Sequence, residues 1–203
     1  MSLNRFILSR ADEGDIPEIT RVEYECFPPV IRELFMGCKS EADLPLITAK
    51  NLRDRERDPH DIWIKVVDST TGKIVAASNW KVFLNSGAPN ESDEVPPEWL
   101  EGEVLEKASK IMGVWNEARR KENPGPHIHL HICFTDPDYR RQGLGSMMMQ
   151  WGCDLADQLF LPGWIEASSE GNFLYKKFGF YDYMPMGAGM SGMCMRRDAK
   201  KVA

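Results

Sequence analysis

The chain has 203 residues, 42% of them hydrophobic and 28% charged, which suits one domain that buries its core without cross-links. Its formal charge of −6 argues against nucleic-acid binding, which needs a basic field. No run approaches the ~18 apolar residues of a membrane helix. The five cysteines, Cys26, Cys38, Cys133, Cys153 and Cys194, are odd in number and form no C-x-x-C pair. That argues against a disulfide framework or a zinc ribbon and for a reducing, cytoplasmic setting with apolar core cysteines. The N-terminus lacks the basic segment and apolar run of a secretory signal.

In chain order, residues 5–11 read as a first strand. A helix follows, capped by Asp12 or Asp15, with Ile16, Ile19, Val22 and Tyr24 or Phe27 at roughly helical spacing. Phe27-Pro28-Pro29-Val30 breaks it. A second helical stretch runs through 34–38 and a polar one through 41–57. Residues 60–68 and 72–83 are β-rich runs joined as a hairpin by Ser69-Thr70-Thr71-Gly72. Residues 85–97 form an acidic, proline-bearing loop, and 98–121 a helix. This 85–126 insertion reads equally as a lid, a substrate wall or a solvated excursion. Residues 127–134 alternate strictly as a strand, 145–160 form a helix, and 164–168 another strand. A short helix at 171–180 and strands near 181–186 and 192–197 complete one α/β domain with a mixed sheet.

The passage from strand 127–134 into Arg140-Arg141-Gln142-Gly143-Leu144-Gly145 and then a helix carries chemistry. It aims backbone N–H groups from a helix N-terminus, where the dipole favours anions. Glycine lets the backbone approach a phosphate, and the two arginines add charge-assisted hydrogen bonds. The nucleotide patterns fail. Ser146-Met147 stands where a Walker loop has Lys-Ser/Thr, and Met148 where the dinucleotide fingerprint has its third glycine. The pyrophosphate of coenzyme A is the remaining common use.

The R-x-x-G-x-G turn, together with Leu174-Tyr175-Lys176-Lys177-Phe178-Gly179-Phe180, resembles the GNAT N-acetyltransferase superfamily. The specific motifs cover 127–180. The resemblance implies a mixed, centrally splayed β-sheet flanked by helices, with a helical insertion before the fourth strand, in one acetyltransferase domain over 1–203. It implies acetyl-CoA as the donor. Cys133, Phe134 and Thr135 are then expected to offer backbone groups to the pantetheine, and Arg140, Arg141, Gln142, Gly143, Leu144, Gly145 and Ser146 to hold the pyrophosphate. Ser168 stands where many members carry an asparagine that touches the cofactor.

His127, His129 and His131 lie on one strand face by the period of two. The position eleven residues before the first arginine of the turn often carries the family's base; here it is His129, with His131 two further on. This pair is similar to that of the arylalkylamine N-acetyltransferases, which implies a proton relay. Neutral imidazole at pH 7 suits that task. A shared metal is disfavoured, because the three histidines spread over ~13 Å of strand. Tyr175 stands where the family places the hydroxyl that protonates the departing sulfur. Phe27, Pro28, Phe35 and Glu166 are the candidates for contact with the acceptor, expected to be a small-molecule primary amine such as an arylalkylamine. A protein or peptide acceptor, or a non-catalytic acyl-CoA-binding module, is the alternative. The expected assembly is a monomer or homodimer.

Overall fold

The computed structural model describes residues 5–201. The strands are β1 (Phe6–Arg10), β2 (Asp61–Asp68), β3 (Ile74–Phe83), β4 (His127–Thr135), β5 (Gly163–Ala167), β6 (Tyr181–Pro185) and β7 (Met193–Arg197). They form one seven-stranded sheet in the order β1-β2-β3-β4-β5-β7-β6. Every neighbouring pair is antiparallel except β4 and β5. Helices α1 (Ile16–Cys26), α2 (Pro29–Ile31), α3 (Leu44–Arg57), α4 (Gly102–Glu122), α5 (Leu144–Gln158) and α6 (Asn172–Lys176) connect and cover it.

One face of the sheet packs on α5. Ile128 and Leu130 of β4, Trp80 of β3, and Met149 and Cys153 of α5 share one buried cluster. Gly152 lets the helix lie this close: a Cβ there would sit 2.2 Å from the Trp80 ring. On the other face, Ile16, Ile19 and Val22 repeat every third residue and bury one stripe of α1 against Trp63, Ala77 and Phe134. Further along that face α4 buries Ala108, Ile111 and Trp115 near Trp164 and Cys194. The 85–126 segment is therefore a wall of the core rather than a solvated excursion.

Several local expectations change. Asp12 caps a short 3₁₀ turn, Glu13–Asp15, and Asp15 makes no side-chain cap bond to α1. The second helical stretch continues α2 as a π-helix, Arg32–Met36, closed by Gly37 in the left-handed region. Helix α4 starts at Gly102, four residues later than the sequence pattern suggests, because Leu100 N–H closes a turn on the Pro97 carbonyl at 3.0 Å. Among the described residues no helix is long and apolar enough to cross a membrane.

Candidate active site

Strands β4 and β5 pair at only three positions, Ile128 with Gly163, His129 with Trp164, and Leu130 with Ile165. Beyond Leu130, β4 stays paired with β3 as far as Thr135, and β5 stays paired with β7 as far as Ala167. Each strand is held from outside and released from the other, so a V-shaped gap opens between them. The β5-facing backbone edge of 131–135 is left without a strand partner, the edge on which Cys133, Phe134 and Thr135 were expected to receive an extended ligand.

A β-bulge interrupts the alternation of β4. Asn79 pairs with Ile132 but Trp80 with Leu130, so His131 is the extra residue. The period of two therefore fails at His131. Cys133 turns toward the α5 face, whereas Ile132 and Phe134 pack on the α1 face. His131 and Ile132 both line the same cavity. The three histidines are thus not equivalent. His127 is buried, its Nδ1 2.9 Å from the Gly125 carbonyl and its ring against Phe83. His129 is also buried, with Nε2 2.8 Å from Glu166 Oε2. His131 is half-buried, makes no hydrogen bond with a described residue, and sets its ring edge-on to His129 at 5.8 Å.

Glu166 is spoken for. Trp164 Nε1 donates to it at 2.6 Å, Arg119 Nε donates at 3.1 Å, and Arg119 Nη2 lies 3.1 Å from its other oxygen. Burial alone would raise this carboxyl, but Arg119 and His129 hold it far below the usual carboxylate range. It is an ionised anchor, not a spare base or an open amine-binding group, because its acceptor positions are filled. Burial and the nearby Arg119 charge push His129 down to about 4. Burial, then Lys81, then His129 hold His131 well below its ordinary value. Both imidazoles are neutral at pH 7. Nδ1 of His129 is buried with no hydrogen-bond partner among the described residues.

The glycine turn reaches α5 with Gly143 at φ +89°, where a Cβ would meet nothing within 4 Å. Gly143 supplies the left-handed turn and leaves open space at the helix N-terminus. Gly145 has another task, since its Cβ would press Leu174 at 3.0 Å. Leu144 sends its side chain into the core, so only its backbone faces the turn. Arg140 is partly committed: its Nε donates to the Thr135 carbonyl and its Nη2 to that of Cys26, both at 3.3 Å. Gln142 donates to the Asp138 carbonyl at 3.4 Å. Arg141 and Ser146 have no side-chain hydrogen bond among the described residues, which leaves Arg141 the free cation of the turn. Ser168 is exposed and occupied locally, taking Gly171 N–H on its hydroxyl and carbonyl oxygens.

Tyr175 is buried on the α5 side and is raised by burial and by the Cys133 thiol, its electrostatic neighbour across the gap. Its phenol stays protonated at neutral pH. His131 is thus a neutral imidazole where β4 leaves β5, on the α1 side, and Tyr175 a protonated phenol beside Cys133, on the α5 side.

The cavity on the His131 side has a volume of about 310 Å³. Phe35 lines it and stacks on Trp115 at 5.3 Å, whereas Phe27 and Pro28 do not line it. Phe27 packs edge-on to Phe134 inside the core, and Pro28 is exposed. The cavity's character comes from residues the sequence did not single out: Glu23, Lys81, Asp58, Asp61 and Glu94 all face it. Asn116 of α4 grips the loop wall by donating to the Glu94 carbonyl at 2.8 Å and accepting Glu94 N–H at 3.1 Å.

Residues 101–182 match the family model described as an acetyltransferase (GNAT) domain. A probable acyltransferase, SID5, of Ajellomyces capsulatus is 24% identical over 106 residues, half of this chain and 69% of that protein. The solved histone acetyltransferase HPA2 and related acetyltransferase from Corynebacterium glutamicum superposes with a TM-score of 0.68 at 18% identity, covering 98% of both chains. A PaiA N-acetyltransferase from Thermoplasma acidophilum, solved with coenzyme A, gives 0.54 at 12% identity over 95% of this chain and 98% of that one. The two solved structures share the fold.

Proposed function

We propose that this chain, whose residues 101–182 match a GNAT acetyltransferase domain, is an acyltransferase that moves an acetyl group from acetyl-CoA to a primary amine by direct attack in the gap between β4 and β5. What supports the reading is a neutral imidazole, His131, where β4 leaves β5 on the α1 side, and a protonated phenol, Tyr175, beside Cys133 on the α5 side.

The residues present fit the donor. The free edge of 131–135 accepts the amides of an extended pantetheine as an added strand would. The first N–H groups of α5, the open space at Gly143 and the uncommitted Arg141 suit a pyrophosphate. Acetyl-CoA supplies the acetyl group as a thioester. His131 receives the proton that the amine loses, a C–N bond forms as the C–S bond breaks, and Tyr175 O–H protonates the departing sulfur. His129 positions His131: Glu166 fixes its ring, and that ring meets His131 edge-on. The bulge brings His131, rather than His129, to the cavity, so His131 is the principal base. A cavity of about 310 Å³ on the acceptor side suits a small amine better than a folded protein surface.

Two variants test the division of labour. His131→Ala lowers kcat/KM for amine-dependent thiol release by ~10- to 100-fold, the lower part of the general-base range, with little change in melting temperature. His129→Ala lowers melting temperature as well, because it removes a partner from the buried Glu166. Full activity in His131→Ala sinks the base assignment.

A further inference from the structure

The cavity beside His131 contains charges that are already matched and others, the carboxyl of Glu23 and the guanidiniums of Arg55 and Arg57 among them, that make no ion pair with a described residue. Lys81 pairs with Asp58 at 2.9 Å, and Lys50 with Asp54. Glu23, on α1, lines the same cavity and is only 8% exposed, yet it makes no hydrogen bond or ion pair with any described residue. Burial pushes its carboxyl up to about 7, with Lys50 opposing. On the loop wall, Glu94 is also incompletely matched. Arg119 Nη2 is 3.7 Å from it, and that guanidinium is shared with Glu166. Asp61 has Asn79, an uncharged donor, at 2.7 Å.

A buried carboxylate without a partner is costly unless a partner arrives with a ligand. Glu23 and Glu94 approach the cavity from different elements, so the missing charge belongs inside it. An ammonium supplies both the charge and three donors. The amine that reacts at His131 must be neutral when it attacks, so it leaves Glu23 unmatched. An arylalkylamine carries no second cation and would leave Glu23 equally alone. A cavity of about 310 Å³ has room for a short aliphatic chain between two nitrogens.

We propose that the acceptor is a diamine or polyamine, with one primary amine at His131 and a second, charged ammonium held by Glu23. This rests on the transfer reading above. The reaction is unchanged: a C–N bond replaces a C–S bond, and the second ammonium keeps its proton throughout.

The test compares cadaverine with n-pentylamine, which has the same chain and a single nitrogen. Thiol release gives kcat/KM for each, and melting temperature with each amine alone reports binding independently of transfer. In the wild type, kcat/KM for cadaverine exceeds that for n-pentylamine by ~10- to 100-fold, the size of a charge-assisted hydrogen bond, and cadaverine raises the melting temperature more. Glu23→Gln brings both ratios toward unity, whereas Glu23→Asp, which keeps the charge, retains part of the preference. Equal constants and equal melting shifts for the two amines in the wild type overturn the proposal, as does an undiminished preference in folded Glu23→Gln. Thiol release with neither amine, while cadaverine alone still raises the melting temperature, supports the diamine site and sinks the transfer reading.

Discussion

Tyr175 and Glu23 show how burial sets the chemistry of single residues here. Phenylalanine at 175 keeps the ring and removes the only proton that side chain can donate. Tyr175→Phe therefore lowers kcat while acetyl-CoA affinity and melting temperature stay nearly constant. The loss shrinks with a donor whose thiol has a lower pKa, because a better leaving group needs less help. Equal loss with good and poor leaving groups contradicts the acid role. At Glu23 the folded carboxyl titrates near 7, above its ordinary value. Between those two values the folded state holds the proton more tightly than the unfolded state, so Glu23 costs stability as pH rises through that window. The full cost above pH 7 is roughly 3 kcal/mol. Glu23→Gln is then expected to raise melting temperature at pH 8 and to change it little at pH 4. A gain that is the same at both pH values contradicts an unpaired carboxylate. The imidazole and phenol candidates were legible because they sit inside short local patterns. Glu23 was not, because its only signal is the absence of a partner, which no sequence displays.

Helix α5 and its entry turn divide their glycines between binding and packing, and substitutions separate the two. At Gly152 a Cβ would collide with buried Trp80 at 2.2 Å. Gly152→Ala is expected to cost at least the ~1–3 kcal/mol of an overpacked core, read as a lower melting temperature with or without acetyl-CoA. At Gly143 a Cβ meets open space, but φ is +89°, so a side chain costs roughly 1–2 kcal/mol in backbone strain. Gly143→Glu adds negative charge beside the proposed phosphate site and is expected to abolish the melting shift expected from acetyl-CoA in the wild type. An equal shift in that variant removes the turn from the site. The turn itself was readable, since strand, glycines and helix are contiguous. The bulge was not. It is a property of the register between β3 and β4, visible only once Asn79 and Trp80 are seen to skip His131. Strict alternation put the histidines on one face and gave no reason to prefer His131 over His129.

Across the whole molecule, the parts divide by how far apart in the chain their residues lie. The α/β order and the hairpin follow from patterns within single segments, whereas the splayed pair of strands was implied only by the family resemblance. The cavity beside His131 is assembled from α1, the π-turn, α3, β2, β3, β4, α4 and the loop before α4. Its polarity is set by pairs such as Lys81 with Asp58, 23 residues apart. Phe27 and Pro28 were expected there from the family resemblance, but half-buried Phe27 packs edge-on against Phe134 and Pro28 is exposed. The net charge of −6 says nothing of where carboxylates gather, whereas the fold brings Glu23, Asp61 and Glu94 to one cavity. The most direct test of the account is the time course of thiol released from acetyl-CoA by the wild-type protein with and without a primary amine, with the amine recovered and weighed by mass spectrometry. The account predicts release that depends on the amine and matches the N-acetylated product mole for mole. Release at the same rate without amine, or none with any amine while acetyl-CoA still raises the melting temperature, contradicts it and leaves a protein that binds the donor without transferring its acetyl group to an amine.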